Sequence, residues 1–154
     1  MIHVALRGSG ERFLDACQAA LGVRPPTAPN TVAAAGARSV LWLGPDEWLV
    51  VDLPESEIAA RLRAALAGIH SAALDVSSSR KVIVVSGEGA EDVLAKAATL
   101  DFSLAAFPVG TCAQTNIART QGIIQRRGAR EFLVYVRTSF APYLRAWLED
   151  ARQA

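Results

Sequence analysis

The sequence predicts an α+β fold built as two strand–helix–strand–strand–helix units in tandem, with mostly antiparallel sheet. Three observations point there. Short β-branched and aromatic runs alternate with segments of helical period, the pattern of a mixed domain. Tight turns built on glycine and proline separate neighbouring strands, as hairpins require. The two halves also echo each other in order: HVALRGSGERFLDAC from His3 parallels VIVVSGEGAEDVLAKA from Val82, and EWLVVDLPESEIAARL from Glu47 parallels EFLVYVRTSFAPYLRA from Glu131. At 154 residues the chain is expected to be a single domain of two pseudo-repeats, about 1–70 and about 71–154, sharing a sheet or packing face to face.

In chain order, Ile2 to Leu6 is a strand ended by Arg7-Gly8-Ser9-Gly10. Phe13, Leu14, Cys17 and Leu21 then fall at helical spacing from Glu11 to Leu21, with Glu11 and Asp15 near the positive end of the helix dipole and Gly22 as its stop. Arg24 to Asn30, RPPTAPN, is an extended connector, because proline donates no backbone hydrogen bond. Thr31 to Ala35 and Ser39 to Leu43 are strands across Gly36, and the turn Gly44-Pro45-Asp46-Glu47 leads to a third, Trp48 to Asp52. Glu55 to Leu66 reads as an amphipathic helix through Ile58, Leu62 and Leu66, closed by Gly68.

The second half opens with Asp75 and a serine run, then Lys81 to Val85, apolar enough for a strand buried on both faces. A Gly turn leads into a helix from Ala90 to Ala98 through Val93, Leu94 and Ala97. Gly110 to Ala118, Gln121 to Arg127 and Glu131 to Arg137 are strands, and Thr138 or Ser139 is placed to cap a last helix carrying Tyr143, Leu144, Trp147 and Leu148.

A net charge of +1 exerts no long-range pull on nucleic acid or an acidic membrane, and no segment approaches the roughly 20 apolar residues a membrane helix needs. Cys17 and Cys112 form neither a disulfide framework nor a CxxC pair, and the N-terminus lacks a signal-peptide core, which together point to the cytoplasm. The two histidines, His3 and His70, have no metal-ligand neighbours at useful spacing.

Candidate chemistry is sparse. Arg7-GSGER and Ser86-GEGAE sit where a phosphate loop could, but both lack the further motif residues, and Glu11, Glu88, Glu91 and Asp92 would repel a phosphate. Cys112 could be a nucleophile with a distant base, although a small buried cysteine on a strand is commoner. Asp46 and Glu47 define a turn more readily than an acid–base pair. Asp75 could bind a polar ligand beside Ser77, Ser78 and Ser79, or cap its own turn. Arg126, Arg127 and Arg130 read as a solvated hairpin tip. Trp42, Trp48, Trp147, Phe132 and Tyr135 read as core or edge-of-core aromatics, of which one or two could anchor a partner.

Five strings carry a resemblance: PTAPNTV from Pro26, LGPDEWLVV from Leu43, DVSSSRKVIVVSGEGAEDVLAK from Asp75, LDFSLAAFPVGTCAQT from Leu100 and SFAPYLRAWLEDA from Ser139. Together they resemble the gamma subunit of heterotetrameric sarcosine oxidase, which is in turn similar to the folate-binding domain of the glycine-cleavage aminomethyltransferase. The resemblance implies a non-catalytic subunit of a complex that oxidises the N-methyl group of sarcosine, giving glycine, hydrogen peroxide, and formaldehyde or methylene-tetrahydrofolate. It implies alpha, beta and delta partners, with FAD, FMN, NAD and tetrahydrofolate held by the larger subunits and no cofactor on this chain. Trp48, Arg80, Cys112 and Gln114 are the positions it suggests for an interface or ligand surface. Family members usually carry a further N-terminal segment before the strand matching Ile2 to Leu6. The alternatives are therefore a stand-alone folate-binding or one-carbon-transfer protein and a self-associating homodimeric scaffold of the same fold.

Overall fold

The computed structural model describes residues 1–153 and divides into two compact units, Met1–Ser77 and Ser78–Ala154. The first contains β1 (Ile2–Arg7), α1 (Glu11–Leu21), β2 (Val32–Ala35), β3 (Arg38–Gly44), β4 (Glu47–Asp52), α2 (Ile58–Ala65) and β5 (Ala72–Asp75). Its five strands form an antiparallel sheet in the order β2-β3-β4-β1-β5. The register places Val40, Val50 and Val4 in one row and Trp42, Trp48 and Leu6 in the next. These side chains share a core with Phe13, Cys17 and Leu21 of α1 and Ile58 and Leu62 of α2.

The Phe13 ring stacks on Trp48 with centroids 5.7 Å apart, and it fills the space that a Cβ at Gly8 would need, 2.2 Å away. Glycine at position 8 is thus a packing requirement. The proline-rich connector is tied down by Trp48 Nε1, which donates to the Pro26 carbonyl at 2.8 Å.

The second unit contains β6 (Arg80–Ser86), α3 (Ala90–Ala97), β7 (Cys112–Ile117), β8 (Thr120–Gly128), β9 (Glu131–Arg137) and α4 (Ala141–Gln153). Its sheet is antiparallel in the order β6-β9-β8-β7. Phe132, Val134 and Val136 on one face of β9 pack with Ile124, Leu94, Leu144 and Leu148. Each unit therefore has its own sheet, not a share in a common one.

Four expectations need correction. α2 starts at Ile58, because a 3₁₀ turn over Pro54–Ser56 ends at Glu57, whose φ of 53° breaks the helical path. β6 is not buried on both faces. It lies at the sheet edge, with Lys81 exposed and Val84 53% exposed, whereas the central strands β4 and β9 are buried on both. Ala72–Leu74 carries no predicted element, yet Ala72–Asp75 is a strand that pairs with β1. Thr138 donates its hydroxyl proton to the Ser78 carbonyl within a 3₁₀ turn, Thr138–Phe140, that precedes α4.

Candidate functional site

Two of the four positions suggested for a surface are closed. Trp48 is 1% exposed with its indole N–H already used, and Cys112 is fully buried. The core of each unit claims them because a large aromatic ring and a small thiol gain most by leaving water. Burial also pushes the Cys17 thiol up to about 12, so neither cysteine has the exposed thiolate that a nucleophile needs.

The other two positions, Arg80 and Gln114, line one hollow from opposite edges of the second sheet. Successive residues of a strand point to opposite faces, so register decides which side chains share one. On the face of the second sheet away from Phe132, Val134 and Val136, Arg80 stands opposite Arg137, Val82 opposite Tyr135, and Gln114 opposite Ile123. On the same face Asn116 stands opposite Gln121, whereas the intervening pair Thr115–Gly122 is turned to the core side. Arg80, Arg137, Gln121, Asn116 and Gln114 line a hollow of about 580 Å³ together with Thr115, Gly122 and Ile123. On that core side a Cβ at Gly122 would lie 2.6 Å from the Tyr135 carbonyl oxygen and 2.9 Å from Cδ1 of buried Ile117.

Further along the same face the polarity is satisfied internally. Tyr135 is buried and its hydroxyl donates to Gln125 Oε1 at 2.7 Å, and burial holds its ionisation well above the ordinary phenol range. The hollow thus offers two guanidiniums and three carboxamides, but no group poised as a general base. Its chemistry is recognition of hydrogen-bond acceptors.

The site the sequence missed is Arg126. It is fully buried, not a solvated tip: NH1 donates to the carbonyls of Phe102 (2.6 Å) and Phe107 (2.9 Å). NH2 donates to the Ala129 carbonyl and to Glu91 Oε1, and the guanidinium carbon lies 4.7 Å from the Phe132 ring centroid. Arg126 therefore organises the loop between α3 and β7 rather than a ligand. Arg127, by contrast, is half-exposed and pairs with Glu131. The signal available in sequence was alternation: Ile124 and Arg126 lie on the core face of β8, and Arg127 on the other.

Three acids resolve as structural. The Asp75 carboxylate accepts from the Ser77 hydroxyl (2.5 Å) and the Ser77 N–H (2.9 Å), bonds that hold its pKa below the usual carboxylate range. Ser77 Oγ in turn accepts from the His3 N–H. At the start of α3, Glu88 faces Arg130 and Glu91 is held by Arg126, so carboxylates already occupy the helix end where a phosphate would bind. Among the described residues there is no group of His, Cys, Asp or Glu that could hold a metal, and no helix long and apolar enough to cross a membrane.

The model of the sarcosine oxidase gamma subunit family matches residues 8–154. The chain belongs to that family. Sarcosine oxidase subunit gamma from an Arthrobacter species is 37% identical over 137 residues, covering 88% of this chain and 68% of the relative. Its counterpart from Corynebacterium sp. strain P-1 is 35% identical over 148 residues, covering 96% of this chain and 72% of the relative. Among solved structures, the heterotetrameric sarcosine oxidase from Corynebacterium sp. U-96 in complex with pyrrole 2-carboxylate contains a chain of similar fold. It superposes with a TM-score of 0.91 at 32% identity, covering 97% of this chain and 78% of that one. The motif strings from Pro26 to Ala151 lie within the matched region, so the gamma-family membership rests on nearly the whole sequence.

Proposed function

We propose that this chain is the non-catalytic gamma subunit of a heterotetrameric sarcosine oxidase, assembled with alpha, beta and delta subunits in the cytoplasm. The complex would oxidise the N-methyl group of sarcosine, releasing glycine and hydrogen peroxide, with formaldehyde or methylene-tetrahydrofolate as the one-carbon product. The carrying observation is the 0.91 TM-score over 97% of the chain to a component of a heterotetrameric sarcosine oxidase.

The site chemistry supports a structural role. FAD, FMN, NAD and tetrahydrofolate would reside on the larger subunits, since this chain's strand-to-helix turn carries Glu88, Glu91 and Asp92 where a dinucleotide's pyrophosphate would need cations. The Arg80–Gln114 hollow has donors for recognition and no base or nucleophile for demethylation. Leu74, Val84, Leu104, Val109 and Phe140 are exposed, as a subunit awaiting partners would leave them.

We further read the two units as a duplication resembling the aminomethyltransferase folate-binding domain. Support comes from the matching orders β2-β3-β4-β1 and β7-β8-β9-β6, each with a helix after its first and last strands in sequence.

Co-expression with candidate alpha, beta and delta chains tests the reading. One co-purifying, flavin-coloured complex that consumes sarcosine is the expected result. A chain that elutes separately from an otherwise complete enzyme overturns it.

A further inference from the structure

The two units share a strand register. Leu6 opposes Trp48 and Val4 opposes Val50 in the first; Val85 opposes Phe132 and Ile83 opposes Val134 in the second. The glycine after each strand donates across the same pair, Gly8 N–H to the Asp46 carbonyl (3.1 Å) and Gly87 N–H to the Arg130 carbonyl (2.9 Å). At one place the units differ. In the first, β5 covers the outer edge of β1, with Asp75 to Ala72 opposing Val4 to Arg7. In the second, β6 ends the sheet, and among the described residues no strand lies beyond it. The position after the helix that β5 takes in the first unit has no strand in the second, where α4 continues to Gln153.

Backbone parity identifies the open groups. Alternate residues of an antiparallel strand turn N–H and C=O to the same side. Because Gly87 points to β9, Val85 and Ile83 do too, and Ser86, Val84 and Val82 turn theirs outwards. On β1 the matching outward group is taken, since the His3 carbonyl accepts from the Val76 N–H at 2.8 Å, one residue past β5. The space beside each edge shows the same contrast. Ala73 of β5 joins the first core with Leu62 of α2, and Arg63 donates to its carbonyl. Beside β6 lies a groove of about 740 Å³ walled by Val93 of α3 and Leu148 of α4, and Val84 on the edge is 53% exposed. The strand has no proline and no bulge to blunt that edge. Lys96, Arg145 and Arg152 along the groove are balanced by Glu88, Asp92 and Glu149, so it selects no net charge.

We propose that β6 is completed in trans. An extended, uncharged segment of a partner subunit adds as a fifth, antiparallel strand along Ile83 to Ser86, with an apolar side chain opposite Val85 entering the groove. The proposal rests on the gamma-subunit reading above and adds to it the contact surface and the backbone chemistry of the contact. Main-chain bonds supply the affinity, and the apolar side chain at the groove supplies the selection.

The test follows amide hydrogen exchange of residues 82–86 in the dilute free chain, in the concentrated free chain and in the complex with co-expressed alpha, beta and delta subunits. V84P and S86P each remove an outward N–H that β9 does not use, and S86A keeps that N–H as a control. The expected result is free exchange at Val82, Val84 and Ser86 in the isolated chain, slowed about tenfold or more in the complex. Both proline variants should assemble about tenfold or more weakly with unfolding midpoints retained, and S86A within about twofold of the unchanged chain. Exchange that is equally fast in the assembled complex overturns the proposal, and this reading stands even where a proline variant fails to fold. Assembly of both folded proline variants within about twofold of the unchanged chain overturns it as well. Protection already present in the dilute free chain assigns the edge to this chain's own residues, and protection that appears only on concentration assigns it to a second copy; either refutes the partner strand. Failure of the unchanged chain to assemble refutes the gamma-subunit reading, and the proposal with it.

Discussion

Arg126 shows how strongly one residue's position depends on neighbours far away in sequence. Its guanidinium leaves water because three carbonyls, from Phe102, Phe107 and Ala129, converge with Glu91 and the Phe132 ring. Removing it strands those acceptors. Arg126→Met should destabilise the chain by about 2–4 kcal/mol in denaturant titration, since an unsatisfied buried acceptor costs about 1–3 kcal/mol. Arg126→Lys should recover little, because an ammonium cannot span four acceptors on two sides. A change below about 0.5 kcal/mol would contradict the network, since that is the scale of an ordinary surface substitution. The string RRGAR carries the composition of a solvated tip, and only alternation along β8 separates Arg126 from Arg127. Trp48 and Cys112 differ from their expected surface role for the same reason: burial is settled by what packs against them.

At the scale of elements, strand positions were legible and strand environments were not. Lys81 to Val85 and Phe132 to Val136 look alike as apolar runs, yet β6 sits at an edge and β9 in the centre. Pairing order, which no local pattern encodes, makes that difference. The two helix starts that shifted do so at 3₁₀ turns, where proline and local hydrogen bonds compete with helix extension. Backbone strain also sits in a connection. Ala118, in the two-residue turn between β7 and β8, has φ 52°, a conformation that costs an L-residue about 1–2 kcal/mol. Ala118→Gly should therefore raise the denaturation midpoint, by about 1 kcal/mol in stability after glycine's entropic cost, while keeping the N–H bond to the Ala97 carbonyl. A lowered midpoint would count against the left-handed turn.

For the whole molecule, acid should be the destabilising direction. Asp52 is desolvated by burial, which raises its pKa, but the bonds from Arg38 and the Leu53 N–H outweigh this and leave the pKa lowered. Asp75 and Asp101 are lowered by bonds from Ser77 and Ser103, and Glu131 by Arg127. A carboxylate whose folded value lies below its unfolded one contributes fully above the unfolded value, about 4, and loses that contribution as pH falls through the folded one. Stability should be flat through neutral pH on account of these groups and fall below about pH 4, with a shallower acid limb in Asp52→Asn. Unfolding midpoints across pH check this, and an acid limb of equal slope in the variant would exclude Asp52 as a contributor.

By itself the sequence determined the α+β class, most strand and helix positions, and the gamma-subunit family, because periodicity, turn chemistry and motif strings are local properties of a chain. It also brought Arg80 and Gln114 forward, though without a reason to join them. Only the tertiary structure decided that Arg126 is interior, that β6 is an edge, and that Arg80, Arg137, Gln121 and Asn116 form one polar row with Gln114 in the row beside it. The physical reason is common to all three. Burial and juxtaposition follow from sheet order and register, which are fixed by contacts between residues dozens of positions apart.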